Sequence, residues 1–469
     1  MSDDLVYQPA VRLADLVRDH RVSALELVDA YLERIDRFDR RLGAYITVCS
    51  DAARAAARAV DARLMRGDDV GPLAGIPFAV KDQYDTSGVR TTQGSRLFAT
   101  RVPANTATAV VRLQQAGGIL LGKLNMTELA LGGTQEFPFG QPRNPWNDAH
   151  DPGGSSSGSG IATAAALCAV SLGEDTGGSV RSPAGFCGVV GVRPTWSRVS
   201  GHGVFPLSWS MDAPGPLTRT VEDGALVLAL IAGRDERDPL TSRRPVPDYR
   251  AELTGDVRGL RIGVVSELTT GPDTSPEVGR TVETAAALLG RLGASVDQVS
   301  LPLLPLAGAV FMALADSEGA GLHLDALRTR PADFDRGTRR RLVAAGLLPT
   351  AITQQAARAR TLIRNDLRAA LDRFDALLSP TAPTTASPLS AMTAPIESGD
   401  AAARRFFTRR SYTTPASLAG VPALSVPCGF SSTGLPIGLQ LMGRPFEETT
   451  ILRIAHAYEQ ATDWRRRPL

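Results

Sequence analysis

Short apolar runs alternate with amphipathic helical segments along most of this chain of 469 residues. A helical segment that opens at Thr106 precedes the apolar run 119–121, and the run 260–265 precedes a helix that opens at Ser275. Such alternation is typical of an α/β fold, in which helices cover both faces of a largely buried sheet. The same type of run predicts further strands at 296–299, 376–378, 423–426 and 437–442.

The first 65 or so residues lack strand-like runs and are predicted to be helical. Ser23 and Glu26 stand at the spacing of a capping box, in which each side chain accepts a hydrogen bond from the other residue's backbone. An apolar face begins at Leu27 and recurs every four residues. We therefore expect one large domain, with residues 1–65 as an N-terminal helical segment packed on a core of residues 66–469.

Composition excludes several classes of function. The net charge is only +2, so no basic field over the whole surface points to nucleic acid or to an anionic membrane. No apolar stretch reaches the roughly 18 residues that a spanning helix needs. The four cysteines are far apart and the histidines never fall at metal-ligand spacing. We expect no metal, no cofactor, no nucleic-acid or membrane partner, and a cytoplasmic location.

Lysine is almost absent from this chain. Of 51 basic residues only Lys81 and Lys123 are lysines. Because arginine stays protonated in proteins, a retained lysine is a candidate for a role that requires losing a proton. Lys81 follows the apolar run 75–80, whose burial would lower the pKa of its amine and let it accept a proton. The alternative is a structural ion pair of Lys81 with Asp82 or Asp85.

The first of two glycine-rich segments, residues 151–160, precedes an apolar helical run over 161–170. It contains the pattern Gly-x-Ser-x-Gly around Ser156. A nucleophile elbow requires a strand directly before that pattern, and the polar, proline-broken residues 144–151 do not predict one. A flexible linker is a second interpretation. A phosphate-binding loop is a third, although the Gly-Lys-Ser/Thr ending is missing.

The second segment, residues 173–181, is a better site for a nucleophile. Gly177 and Gly178 would let several backbone N–H groups converge on one point, as an oxyanion hole requires. Ser179 follows directly and needs a base to attack near neutral pH. No histidine is close in sequence, so Lys81 is the candidate base, and a distant histidine stays open.

These segments, with those at 142–146, 215–223 and 434–440, resemble the amidase signature family. The lysine segment, the Gly-Gly-Ser-Ser loop and the Asp-Thr-Gly-Gly-Ser turn follow one another in that family's order. The resemblance implies one α/β/α domain with a mixed, mostly buried central sheet.

The resemblance covers nearly the whole chain. It is strongest over the signature region 71–225 and over 376–458. It is weak over 235–375, a variable region that is expected to form part of the substrate pocket.

By position, the resemblance implies a catalytic triad of Lys81, Ser155 and Ser179. Ser179 would be the nucleophile, and Ser155 would pass its proton to neutral Lys81. The peptide bond between Gly154 and Ser155 would be cis.

The oxyanion hole would consist of four successive backbone N–H groups, those of Thr176, Gly177, Gly178 and Ser179. Asp175 and Arg181 would support this turn, and Arg181 could instead contact an anionic group of the substrate. Glu174 stands where threonine is common in the family.

The resemblance implies a hydrolase of C–N bonds other than peptide bonds. Its substrate would be a small amide, carbamate or urea-like compound, and a homodimer is the family-based expectation. The alternative is the A subunit of a glutamine-dependent tRNA amidotransferase, in which an arginine and an aspartate hold glutamine. Arg360 matches the arginine, but Arg410 stands where the aspartate is expected, so we favour the stand-alone hydrolase. A catalytically silent binding homologue is disfavoured because all three triad positions are present.

Overall fold

The computed structural model describes residues 3–393, 398–464 and 467–469. Within these ranges, eleven strands form a single sheet. In chain order they are β1 (Tyr45–Val48), β2 (Pro77–Lys81), β3 (Ile119–Leu124), β4 (Val170–Glu174), β5 (Val190–Arg193), β6 (Pro214–Thr218), β7 (Arg261–Val265), β8 (Ser295–Val299), β9 (Ala376–Pro380), β10 (Ala423–Phe430) and β11 (Pro436–Gly443).

Helices precede, separate and follow the strands. In chain order they are α1 (Asp3–Val6), α2 (Ala10–Arg18), α3 (Ala24–Leu42), α4 (Ser50–Met65), α5 (Thr108–Gln115), α6 (Ser157–Ala164), α7 (Arg181–Cys187), α8 (Val221–Ile231), α9 (Ser266–Thr269), α10 (Pro276–Arg291), α11 (Ala307–Thr329), α12 (Arg336–Gly346), α13 (Thr350–Arg373), α14 (Leu389–Thr393), α15 (Gly399–Ala403), α16 (Thr414–Ala419) and α17 (Glu448–Gln460). Among the described residues, none of these helices has the length and apolar character needed to cross a membrane.

The strands lie side by side in the order β1-β3-β2-β4-β6-β5-β10-β11-β9-β7-β8. Strand β2 is parallel to β3 and β4, and β7 is parallel to β8 and β9. The strands between these two groups run antiparallel. Every residue of β2 to β6 is buried, whereas the outer strands β1 and β8 are partly exposed. The mixed, mostly buried sheet of an α/β fold is confirmed.

Two local predictions need correction. The helical run expected over 161–170 ends at Ala164, and Val170 already begins strand β4. A turn with Ala166 at φ 51° separates the two elements. Apolar periodicity could not locate this break, because helix and strand here are both buried on all sides. Residues 1–65 also contribute β1 to the sheet, so we keep the boundary at residue 65 only as a proposal.

The N-terminal helices are attached to the sheet domain by a buried carboxylate. The backbone N–H groups of Ala10 and Val11 each donate to Asp223, at 3.0 Å. The first N–H groups of a helix lack intrahelical acceptors, so this carboxylate satisfies the N-terminus of α2. The predicted capping box of Ser23 and Glu26 is present at the start of α3. The helical segment is thus bonded to α8 of the core.

Candidate active site

Both glycine-rich segments lie in the wall of one cavity of about 1660 Å³. Ser155 lines it from the first segment and Ser179 from the second. Other parts of the wall come from α11, α12 and residues 406–413. Residues 235–375 therefore contribute to the cavity through α11 and α12, and their part in a substrate pocket stays a prediction.

Lys81 lies behind Ser155 at the end of β2. Its side chain is wholly buried, and its Nζ donates to Ser155 Oγ at 2.8 Å and to the carbonyl of Glu174 at 3.4 Å. Burial lowers the pKa of Lys81, although nearby carboxylates, those of Glu174 and Asp212 first, act in the opposite direction. Burial thus favours the neutral amine, which can accept a proton.

The ion pair that was the alternative for Lys81 forms around the second lysine instead. Lys123 Nζ lies 3.3 Å from a carboxylate oxygen of Asp82, and both side chains are inaccessible to solvent. Asp85 is bonded to Arg101 by two contacts of 2.7 and 2.8 Å. Neither aspartate therefore forms an ion pair with Lys81.

The peptide bond between Gly154 and Ser155 is cis, as the resemblance implies. The carbonyl of Ser155 accepts a hydrogen bond from the backbone N–H of Thr127 at 3.1 Å. The next residue, Ser156, donates its N–H to the carbonyl of Ser179 at 3.3 Å. This hydrogen bond joins the two glycine-rich segments, so Ser155 and Ser179 lie on neighbouring backbone segments.

Ser156 does not have the geometry of a nucleophile elbow. No strand precedes it within the fully described residues 125–156. Its hydroxyl is buried and interacts with the backbone N–H and carbonyl of Glu174, each at 3.3 Å. Ser156 is also absent from the cavity wall. Its role is to connect the loop to the end of β4.

Two glycines in the second segment allow close packing around the turn. A Cβ on Gly177 would collide with the ring of Phe311, and one on Gly178 would collide with the side chain of Thr413. Gly178 also has φ +117°, a conformation that L side chains rarely adopt. The backbone of this turn therefore approaches α11 and residue 413 as only glycine permits.

The turn presents three of the four N–H groups that were expected to form the oxyanion hole. The N–H of Gly178 is the exception. It donates to Asp175 Oδ1 at 2.7 Å and is therefore not available to a ligand. Within the described chain, the N–H groups of Thr176, Gly177 and Ser179 donate to no acceptor. All three residues line the cavity.

Asp175 and Arg181 lie behind this turn. Burial by itself would raise the pKa of the Asp175 carboxyl group. The positive charges of Arg181 and Arg193 have the larger combined effect and hold that pKa below its usual range. Arg181 donates to Asp175 at 2.8 Å, to the carbonyl of Thr413 at 2.7 Å and to Gln440 at 2.7 Å. It is wholly buried and outside the cavity wall. All of these donors of Arg181 are directed at protein groups, and its role in loop support stays a prediction.

A carboxyl pair beside Lys81 could not be foreseen from the sequence. Glu174 Oε2 lies 3.7 Å from Lys81 Nζ, and the hydroxyl of Thr176 donates to the same carboxylate at 3.1 Å. Burial raises the pKa of Glu174, and burial together with Glu174 raises that of Asp212 well above its usual range. Glu174 was notable only as a departure from the family pattern. Asp212 lies in a segment without any motif.

The two arginines that bear on glutamine recognition have different surroundings. Arg360 donates to the carbonyl of Leu418 at 2.9 Å and to the hydroxyl of Ser210 at 3.1 Å. It does not line the cavity, whereas Arg410 does. Arg360, which matches the arginine that holds glutamine in the amidotransferase branch, therefore already donates its hydrogen bonds to protein groups.

The amidase family model matches residues 26–452. This chain belongs to the amidase signature family. The A subunit of the glutamyl-tRNA(Gln) amidotransferase from Moorella thermoacetica is 42% identical over 488 residues, which cover 99% of this chain and 98% of that protein. The family and its C–N bond chemistry are thus established for a region that includes the whole cavity.

Solved structures of the family superpose over almost the whole chain. Native peptide amidase from Stenotrophomonas maltophilia is 33% identical, with a TM-score of 0.85 and 98% of each chain covered. A second solved structure is a chain of a vestigial protein complex that reveals the evolutionary origins of an s-triazine catabolic enzyme. It is 35% identical to this chain. Its TM-score is 0.90, with 97% of this chain and 98% of that chain covered.

The named relatives correct one expectation about partners. The expected partners were a small amide or carbamate substrate and, from the family, a second copy of the chain, without nucleic acid. Yet relatives that match over 94–98% of their own length are named as A subunits of a glutamyl-tRNA(Gln) amidotransferase. The expectation of no nucleic acid is wrong. It rested on the low net charge, which excludes a basic field over the whole surface but not a local binding face. The same relatives favour the amidotransferase alternative over the stand-alone hydrolase.

Proposed function

We propose that this chain hydrolyses the C–N bond of a carboxamide through an acyl-enzyme on Ser179. The observation that carries the proposal is the 2.8 Å contact between Lys81 Nζ and Ser155 Oγ in a fully buried setting. Ser179 stands beside this pair in the cavity wall, on backbone bonded to Ser156. These contacts support the assignment of Ser179 as nucleophile, Ser155 as relay and the desolvated Lys81 as base.

In the acylation step, Ser179 Oγ attacks the carbonyl carbon of the substrate. Its proton passes to Ser155 Oγ, while the proton of Ser155 passes to the neutral amine of Lys81. The carbonyl oxygen becomes an oxyanion, which the free N–H groups of Thr176, Gly177 and Ser179 are placed to stabilise.

When the tetrahedral intermediate collapses, the C–N bond breaks and the proton returns through Ser155 to the leaving nitrogen. Ammonia or an amine departs and leaves an ester on Ser179. Water then attacks this ester with the same relay acting as base, and the carboxylic acid is released. As the second tetrahedral intermediate collapses, the bond to Ser179 Oγ breaks and Lys81 returns the proton through Ser155 to that oxygen, so Lys81 ends as the neutral amine and Ser179 as the free hydroxyl.

The experiment that tests the proposal is intact-protein mass spectrometry after incubation with a fluorophosphonate. We expect one adduct, lost in Ser179→Ala and retained in Ser156→Ala and Ser182→Ala. Ser182 is a strict control because it lines the same cavity. An adduct that persists in Ser179→Ala would refute the assignment of the nucleophile. No adduct on the wild type would point to the catalytically silent homologue.

For the biological setting, we propose that the chain acts as the amide-hydrolysing A subunit of a tRNA-dependent amidotransferase. The support is the match to named A subunits, which extends over 99% of this chain and 98% of the Moorella thermoacetica protein. In this setting, the ammonia released from glutamine would be delivered to glutamyl-tRNA by partner subunits.

Expression with a purification tag in the native host tests this setting. Co-purifying subunits and glutamine-dependent ammonia release would support it. A chain that purifies alone and leaves glutamine intact, while cleaving other amides, would support the stand-alone hydrolase instead.

We also propose a cytoplasmic location. All four cysteines are free, and three of them, Cys168, Cys187 and Cys428, are buried. Unpaired thiols are typical of proteins kept in a reducing compartment. Cell fractionation with a tagged chromosomal copy tests this assignment.

A further inference from the structure

Three arginines, Arg341, Arg409 and Arg410, line the same cavity as Ser179. Arg341 is bonded to Asp316 by two contacts of 2.6 Å, and Arg409 is bonded to Asp151 by two contacts of 3.1 Å. Arg410 differs from both. Within the described chain it has no carboxylate as an ion-pair partner. Among the described residues, one positive charge of this cluster therefore has no carboxylate paired with it.

Most hydrogen-bond donors of Arg410 are also unused. Its Nη1 donates to the carbonyl of Phe406 at 2.5 Å, and the described residues offer no other acceptor to its guanidinium. Nη2 lies beside Gly132, where a Cβ would come within 2.9 Å of it. Burial and the neighbouring Arg341 lower the pKa of Arg410 to about 9. The group stays protonated at neutral pH, and a bound anion would relieve its unfavourable environment.

Arg410 is connected directly to the turn that carries the free N–H groups. Its carbonyl accepts the N–H of Thr413 at 3.2 Å. The hydroxyl of Thr413 donates to the carbonyl of Gly177 at 2.7 Å. Arg410 and the oxyanion turn are thus held by one hydrogen-bonded unit, and both line the cavity in which a ligand would bind.

The charges around the cavity favour an anion. Its described wall contains two carboxylates, of which Asp151 already faces Arg409 and Asp273 is exposed at the rim. The positive residues of the wall are Arg336, Arg339, Arg340, Arg341, Arg409 and Arg410. A neutral amide would leave the charge of Arg410 uncompensated, whereas a substrate with its own carboxylate would neutralise it.

We propose that Arg410 binds a carboxylate at the far end of the substrate's acyl group, so that the preferred substrates are monoamides of short dicarboxylic acids. The inference rests on the proposed hydrolysis at Ser179 and names the substrate class of that site. The guanidinium can hold a carboxylate with two parallel hydrogen bonds, which fixes the orientation of the acyl chain. The amide at the other end then reaches the oxyanion turn.

The test compares glutaramate with pentanamide, in which a methyl group replaces the carboxylate. Malonamate, succinamate and adipamate, each against its neutral counterpart, extend the comparison to other chain lengths. Ammonia release gives kcat/KM. For the best chain length we expect the anionic amide to exceed its neutral counterpart by about ten- to hundredfold.

Variants of Arg410 identify the group responsible. Arg410→Gln should abolish the preference for the anionic amide, and Arg410→Lys should retain part of it. Arg368→Gln is the matched control, because Arg368 is exposed on α13 and lies outside the cavity wall. It removes the same charge and should leave the preference unchanged.

Equal kcat/KM for anionic and neutral amides at every chain length would overturn the inference, as would an undiminished preference in Arg410→Gln. Fluorophosphonate labelling separates this failure from failure of the proposed function. If Ser179 is labelled but no anionic preference exists, only the role of Arg410 is refuted. If Ser179 is not labelled, the proposed function fails. Labelling of Arg410→Gln at the wild-type rate shows that this variant is folded.

Discussion

Lys81 Nζ lies 3.7 Å from Glu174 Oε2, and neither side chain has any exposed surface. Attraction between the two groups favours a charged pair, whereas burial favours a neutral one. Burial is the larger effect on each group, since it lowers the pKa of Lys81 and raises that of Glu174. The neutral amine that burial favours is the state in which Lys81 can act as a base.

The first prediction concerns pH. The base is active only when Lys81 is neutral, so kcat/KM should rise as pH increases through its lowered pKa. The carboxylate of Glu174 raises that pKa, as do Asp212 and Asp175 to a smaller extent. Glu174→Gln should therefore move the acid limb of the profile to lower pH. The full pH dependence of kcat/KM for both proteins provides the measurement, and a shift toward higher pH would contradict the assigned role of Glu174.

The second prediction concerns the base itself. Lys81→Met should lower kcat by roughly 10²–10⁴-fold, the range typical of lost general base catalysis. KM should change little, because Lys81 lies behind Ser155 and does not line the cavity. Steady-state kinetics with circular dichroism as a check of folding give the comparison. Near-full activity at pH 7 would mean that another group is the base.

The third prediction uses the other lysine as a matched control. Lys123 donates to the carbonyl of Tyr84 and to Thr91, each at 2.6 Å, and faces Asp82 at 3.3 Å. Lys123→Met leaves a buried carboxyl group without its partner, which costs about 3–5 kcal/mol in comparable cases. We expect a clear fall in the free energy of unfolding, measured in urea, while kcat of the folded fraction keeps its order of magnitude. Intact stability would show that the pair is dispensable.

The fourth prediction concerns the oxyanion turn. Gly178→Ala combines an unfavourable φ of +117° with a collision against Thr413, so the turn must shift. We expect slower fluorophosphonate labelling together with a lower kcat. Gly434→Ala is the control, because Gly434 also has positive φ, +77°, but open space around it. That variant should lose about 1–2 kcal/mol of stability at most and label normally. Equal labelling rates in the two variants would argue against a special role for the turn.

The fifth prediction concerns glutamine, which is glutaramate with an added ammonium group. Among its described residues, the cavity wall offers that group only Asp151, which faces Arg409, and the exposed Asp273. For the isolated chain we expect glutaramate to have a kcat/KM about tenfold or more above that of glutamine, the usual cost of an unpaired charge. Ammonia release from both compounds is the measurement. Better use of glutamine would contradict this prediction. Slower but measurable use of glutamine by the isolated chain agrees with the proposed A subunit, whose partner subunits are absent from this assay.

Local sequence patterns were sufficient for much of the framework. The capping box at Ser23, the buried run before Lys81 and the glycines before Ser179 each depend on neighbours within a few residues, and the structure contains all three. The near absence of lysine singled out Lys81, because arginine can replace a permanent charge but not a proton acceptor. The order of the segments sufficed to indicate the family.

Long-range packing determined what those patterns did not contain. Strand β6 includes Pro214 and Pro216 and has no strand signature, yet it pairs with both β4 and β5. The arginine cluster brings together residues 341, 409 and 410 from segments that are distant in sequence. Within the described residues, Arg341 pairs with Asp316 and Arg409 pairs with Asp151, which leaves Arg410 without a carboxylate.

The sequence by itself therefore determined the α/β class, the family and the candidate triad, since each rests on local chemistry and on motif order. Only the tertiary structure decided which N–H groups of the turn are free, which carboxyl group faces Lys81 and which arginine of the cluster has no carboxylate partner among the described residues. The physical reason is that pairing and burial depend on contacts between segments far apart in the chain. Such contacts arise from the packing of the whole sheet and its helices and leave no local pattern to read.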